Sequence, residues 1–220
     1  QVFPRAWDQP TAHRIGAVGL GTGSVAAYTR PGDSLSFFEI DPLVIRIATD
    51  PKHFSYTTAC AGGKIDYVLG DARLTLAKQP PGSFDILLID AFSSDSIPAH
   101  LLTVEAMRMY LSKLKPDGVL ILHLSNRNLD LRGPAMAVAE AAGGYALIQR
   151  HNIDKKSPPL WESPEDAIIV TRSLAALKPY EADKRWSQTD PLAARPWTDD
   201  YTNIAGALYA ELKTRWTWLP

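Results

Sequence analysis

The amino-acid sequence predicts an α/β fold with a doubly wound, mostly parallel sheet and an antiparallel strand near the carboxyl terminus. Two observations lead to this prediction. Short apolar runs alternate five times with helical patterns, and the runs are nearly continuous, as in strands buried on both faces. Glycine or acidic residues follow each of the first four runs. Parallel sheets of this kind bind their ligands beyond the carboxyl ends of the strands.

The predicted elements follow from runs that end at glycine, proline or other turn residues. In chain order, the strands are predicted at 14–20, 34–40, 64–70, 83–90, 119–125, 145–150 and 166–172. The helices are predicted at 24–30, 41–49, 71–79, 100–114, 132–142 and 201–215. Asp41 and Pro42 are typical of a helix start, and residues 115–118 are predicted to form a turn.

Composition narrows the class of protein. The 220 residues are 45% hydrophobic with a formal net charge of −1, so we expect no nucleic-acid partner. No apolar run approaches the roughly 20 residues of a membrane helix, so no membrane contact is expected from this chain itself. The single cysteine, Cys60, excludes an internal disulfide and fits a cytoplasmic location. Residues 1–13 are interpreted as an extension or the remnant of an upstream segment, and residues 14–220 as one domain.

A glycine-rich segment, VGLGTGS (18–24), follows the first predicted strand. Gly19, Gly21 and Gly23 would allow the backbone to turn tightly and approach a ligand closely. The segment also fits the G-x-G-x-x-A pattern of dinucleotide sites, or an ordinary strand-to-helix turn. Glu39 ends the second strand, where a carboxylate can accept hydrogen bonds from both hydroxyls of a ribose; the structural alternatives are a solvated strand end and a capping partner.

Carboxylates also follow the third and fourth strands. Asp71 with Ala72 would lie across the crevice, where an adenine amino group would bind, although Asp71 is equally suited to cap the next helix. Asp90 with Asp95 would suit a cationic substrate, or a base that deprotonates an amine. An alkyl ammonium has a pKa near 10.4 and must lose its proton before it can attack. For Asp95 a helix-capping role is the alternative, and His123 on the fifth strand is assigned to the core.

Together these segments resemble the spermidine synthase family of aminopropyltransferases, in its spermidine-synthase-like branch. The resemblance covers about residues 14–212, and it implies a class I S-adenosylmethionine-dependent methyltransferase fold, which is Rossmann-like. It rests on the segments VGLGTGS (18–24), FFEIDP (37–42), LGDARLTL (69–76), FDILLIDAFSSDSIPAHLLTVEAM (84–107), LKPDGVLILHLSN (114–126) and WTDDYTNI (197–204).

The resemblance implies a role for each candidate residue. Glu39 would hold the ribose, Asp71 and Ala72 the adenine, and Asp90 would help to deprotonate the attacking amine. Trp161 would line the substrate site. The donor would be decarboxylated S-adenosylmethionine or S-adenosylmethionine, used as a co-substrate without a metal. The acceptor would be a small amine such as putrescine, and the protein would be a homodimer in polyamine biosynthesis, with fused membrane segments in some members of the branch.

Three features depart from the family. Thr22 replaces an acid of the glycine loop, the acids Asp90 and Asp95 do not match D-x-x-D-P, and residues 1–13 are too few for the family's amino-terminal hairpin domain. A methyltransferase acting on an unknown acceptor therefore remains an alternative. A nicotinamide-dependent oxidoreductase and a non-catalytic nucleoside-binding domain are further alternatives.

Overall fold

A computed structural model of the chain describes residues 12–91, 98–126, 128–151, 165–188 and 194–215. The described strands are β1 Arg14–Val18, β2 Ser34–Glu39, β3 Lys64–Leu69, β4 Phe84–Ile89, β5 Leu114–His123, β6 Tyr145–His151, β7 Glu165–Thr171 and β8 Trp186–Ser187. They form an eight-stranded sheet in the order β3-β2-β1-β4-β5-β7-β6-β8. The α-helices are α1 Pro42–Thr49, α2 Ala72–Ala77, α3 Val104–Lys113, α4 Arg132–Ala141, α5 Leu174–Glu181 and α6 Ile204–Arg215.

The predicted α/β class is confirmed, with a mostly parallel sheet and an antiparallel part near the carboxyl terminus. The helix predicted at 24–30 is a short 3₁₀ helix, Ser24–Tyr28. Asp41 caps α1 as predicted, because its side chain accepts a hydrogen bond from the Leu43 N–H. Helix α5 and strand β8 have no counterpart in the sequence analysis.

The turn predicted at 115–118 is confirmed, although these residues lie within the range of β5: a Cβ on Gly118 would lie 3.1 Å from the backbone nitrogen of Lys115, so the chain reverses over these four residues. Lys115 extends to Asp85, with its Nζ 2.8 Å from the carboxylate. A Cβ on Gly118 would lie 2.8 Å from the carbonyl oxygen of Phe84. Glycine is therefore required at this turn by the close approach of the Phe84 backbone.

The contacts divide the chain into two compact units, and β5 contributes residues to both. The first unit, Gln1–Ile89 with Ser112–Leu120, contains β1 to β4. In it, β1 pairs in parallel with β2 and with β4, and β2 pairs in parallel with β3. Its core includes the fully buried side chains Ile15, Leu35, Phe37, Phe38, Phe84 and Ile86.

The second unit, Asp90–Leu111 with Ile121–Pro220, contains the antiparallel part of the sheet. Strands β6 and β7 pair from Tyr145↔Thr171 to His151↔Glu165. The end of β5 continues beside β7, since the Leu124 N–H donates to the carbonyl oxygen of Asp166. None of the helices in the described part of the chain is both long and apolar enough to cross a membrane.

Candidate active site

Three strands of the first unit end together. Val18 of β1 pairs with Phe38 of β2 and with Ile89 of β4, and the Gly19 N–H donates to the Phe38 carbonyl oxygen at 3.0 Å. The predicted residues Gly19 and Glu39 therefore lie at the carboxyl edge of the parallel strands. This is the edge at which open α/β sheets bind ligands.

The glycine loop after β1 has a backbone that favours glycine. Gly19, Gly21 and Gly23 have φ angles of 87°, 53° and 80°, in the left-handed region. A Cβ on Gly21 would meet nothing within 4 Å, so the loop faces open space at that residue. A Cβ on Gly23 would instead lie 2.5 Å from Cγ2 of Thr57.

This difference predicts unequal effects of two alanine substitutions on stability. Gly21→Ala should cost about 1 kcal/mol of unfolding free energy, from the left-handed backbone alone. Gly23→Ala should cost about 1–3 kcal/mol more, because its Cβ also clashes with Thr57. Urea unfolding of the two variants checks this prediction. Equal losses would show that the contact with Thr57 does not determine the cost.

The Glu39 carboxylate is held by hydrogen bonds from nearby backbone N–H groups. The residue is only 9% exposed, and its carboxylate accepts N–H hydrogen bonds from Leu20 at 2.9 Å, Ile40 at 2.8 Å and Asp41 at 3.0 Å. A carboxylate has about four acceptor positions, so about one is left for a ligand. The solvated strand end is excluded, and Glu39 connects the glycine loop to the end of β2.

Asp71 and Ala72 lie at the start of α2, two and three residues after the end of β3 at Leu69. The Gly70 N–H donates to the Glu39 carbonyl oxygen at 2.9 Å, which joins the ends of β2 and β3. The Asp71 side chain accepts a hydrogen bond from the Leu74 N–H at 3.1 Å, so the capping role is confirmed. Two exposed apolar side chains follow the predicted ligand residues closely: Ile40 is 67% exposed and Leu74 is 66% exposed.

Asp90 follows the last residue of β4 and forms a pair that the sequence analysis does not predict. Its Oδ1 lies 2.7 Å from Nδ1 of His123, the last residue of β5. The two side chains are 37% and 29% exposed, so the assignment of His123 to the core is wrong. The side-chain hydrogen bond to Asp90 raises the pKa of His123 above 6.5, against burial, and the charges of Asp90 and Glu165 add to the increase.

The remaining predicted site residues, Asp95 and Trp161, lie outside the described residues. Within the described ranges, no group of three or more His, Cys, Asp or Glu side chains is placed to hold a metal ion.

The second unit also contains a cavity of about 840 Å³, which none of the predicted site residues lines. Two of its arginines are paired with carboxylates: Arg132 binds Asp130 at 2.6 Å and lies 3.5 Å from Asp166, while Arg150 lies 3.6 Å from Asp166. Burial raises the pKa of Asp130, but the hydrogen bonds and charge of Arg132 outweigh burial and lower it overall. These charges compensate one another, which is typical of a structural ion network.

Comparisons with known proteins agree on the fold. No model of a known protein family matches the chain. The polyamine aminopropyltransferase of Vibrio vulnificus (strain CMCP6) is 32% identical over 117 residues, which are 51% of this chain. The crystal structure of a probable spermidine synthase from Corynebacterium glutamicum superposes with a TM-score of 0.63 at 18% identity, covering 92% of this chain and 77% of that chain. Human methyltransferase-like protein 13, in complex with SAH, superposes with a TM-score of 0.57 at 19% identity. The superposition covers 87% of this chain and 94% of that chain.

The chain has a spermidine-synthase-like class I methyltransferase fold. This fold is common to proteins named as an aminopropyltransferase and as a methyltransferase-like protein. The chain spans 38% of the length of the aminopropyltransferase that it matches.

Proposed function

We propose that the chain is the catalytic domain of a transferase that moves an aminopropyl group from decarboxylated S-adenosylmethionine to a diamine such as putrescine. The observation that carries this proposal is the position of Asp90. It directly follows a buried parallel strand, its carboxylate is 37% exposed, and one of its oxygens is held by His123. A fixed, accessible carboxylate directly after a buried strand suits the binding and deprotonation of an amine.

Residues of the first unit support the donor part of the proposal. The glycine loop is open at Gly21, where the backbone would approach the donor. Glu39 retains about one acceptor position for a ribose hydroxyl. Asp71 and Ala72 would hold the adenine edge, and the exposed Ile40 would offer apolar surface to the flat ring.

The reaction would be an in-line displacement. Asp90 accepts one proton from the bound ammonium, and the nitrogen lone pair attacks the carbon next to the sulfonium. The new C–N bond forms as the C–S bond breaks, and the C–S electron pair stays on sulfur, which becomes a neutral thioether. The sulfonium is an activated leaving group, so the protein contributes mainly positioning and a proton acceptor.

Methyl transfer from S-adenosylmethionine is the second candidate. Thr22 stands in the glycine loop, so the loop itself carries no acid to bind the amine of an aminopropyl group. The structural similarity to a human methyltransferase-like protein in complex with SAH also favours this candidate.

Calorimetric titration with decarboxylated S-adenosylmethionine, S-adenosylmethionine and NAD tests the proposal. We expect the decarboxylated donor to bind most tightly, and mass spectrometry to detect an aminopropyl product when putrescine is added. Tighter binding of S-adenosylmethionine, without transfer to putrescine, would favour methyl transfer. Binding of NAD alone would overturn both candidates.

A further inference from the structure

The surroundings of His123 determine which of its nitrogens carries the proton. Nε2 is buried and has no hydrogen-bond partner among the described residues. Of the two neutral forms of the ring, the one with its proton on Nε2 would have a buried donor without an acceptor, so it is the less favourable. In the neutral imidazole the proton therefore lies on Nδ1, where Oδ1 of Asp90 accepts it at 2.7 Å.

Because of this hydrogen bond, the two oxygens of the Asp90 carboxylate have different surroundings. Oδ1 is held by the imidazole, which fixes the plane of the carboxylate. The structure shows no hydrogen bond from any described residue to Oδ2. Because Asp90 is 37% exposed, a substrate can reach the carboxylate.

We propose that His123 is a positioning residue for the transfer reaction: it holds Oδ1 of Asp90 and leaves Oδ2 to bind the acceptor ammonium and take its proton. This inference rests on the proposed function, because it assigns the residue that orients the proton acceptor of that reaction. His123 itself does not touch the substrate in this arrangement.

The charge of His123 then determines how strongly Asp90 attracts the acceptor ammonium. Asp90, beyond β4, and Glu165, at the start of β7, are the charged groups of the described residues that act on the imidazole, and both raise its pKa. Below this raised pKa the imidazolium compensates the charge of Asp90, so Oδ2 attracts a cation less. Turnover should therefore rise as the pH rises through the pKa of His123.

Two substitutions separate these contributions. His123→Asn keeps an N–H donor at the δ position but cannot become charged, whereas His123→Leu removes the donor and roughly conserves the volume. The exposed histidine His53, changed to asparagine, serves as the matched control. The measurements are kcat and KM for putrescine with decarboxylated S-adenosylmethionine between about pH 5.5 and 9.5.

We expect His123→Leu to lower kcat between about tenfold and 100-fold, because the carboxylate is no longer oriented. His123→Asn should keep kcat within about threefold of the wild type at high pH and lose the decline at low pH that the wild type and His53→Asn show. Nitrogen-15 NMR should show the His123 proton on Nδ1, with a pKa that falls in Asp90→Asn.

The outcomes distinguish this inference from the proposed function. If the wild type transfers the aminopropyl group and His123→Leu does so equally fast, the positioning role is overturned and the function stands. The same holds if His123→Asn keeps the wild-type pH profile. If the wild type transfers nothing to putrescine from this donor, both are overturned, even where NMR detects the hydrogen bond.

Discussion

Asp90→Asn should lower kcat for the proposed aminopropyl transfer by about 10²–10⁴-fold, the usual contribution of a general base. Asparagine has nearly the same shape, and its oxygen can still accept the hydrogen bond from Nδ1 of His123. It carries no charge and cannot take a proton from the amine. The variant should therefore have a lower kcat. It should also have a higher KM for the diamine, because the amine is a cation and the negative charge that attracts it is removed.

The affinity for the donor separates this effect from a folding defect. The donor is proposed to bind through Glu39, Asp71 and the glycine loop, so calorimetry should give a donor affinity for Asp90→Asn within about twofold of the wild type. Asp117→Asn, which changes an exposed carboxylate on β5, is the matched control and should keep full turnover. Unchanged turnover in Asp90→Asn would contradict its catalytic assignment. A lost turnover would in turn count against a domain that only binds a nucleoside.

Much of the fold could be predicted because its signals are local. Apolar runs with glycine or acid at their ends identify β1 to β4 within about two residues, and the Asp41-Pro42 start of α1 follows from capping chemistry. The turn at 115–118 follows from the same local signals. The contacts of Lys115 with Asp85 and of Gly118 with Phe84 join residues that are distant in sequence, so they could not be predicted from local signals.

The candidate site shows the same limit. Asp90 was identifiable because a carboxylate at the end of a buried strand is unusual. His123 was not, because it lies 33 residues further along the chain and its partner depends on β4 and β5 being neighbours in the sheet. A lone histidine on an apolar strand has no local signal for such a pair. The rule that the ends of parallel strands meet at one edge is the signal that points to it.

Glu39→Gln should reduce both stability and donor affinity. Glutamine replaces one carboxylate oxygen by an NH₂ group, which cannot accept a hydrogen bond. If its oxygen stays with the N–H groups of Ile40 and Asp41, the NH₂ group faces the Leu20 N–H, a second donor. The glycine loop would then move away from β2, and the unfolding free energy should fall by about 1–3 kcal/mol.

The same substitution should weaken donor binding about tenfold or more, because the loop and the remaining acceptor position both change. Urea unfolding gives the stability, and calorimetry well below the unfolding range gives the affinity. Glu140→Gln, which alters an exposed carboxylate on α4, is the matched control and should change neither quantity. A loss of stability with unchanged affinity would limit Glu39 to its structural contacts with Leu20, Ile40 and Asp41. The loss of donor affinity would support a direct hydrogen bond from Glu39 to the donor if it is larger than the disordered loop alone explains.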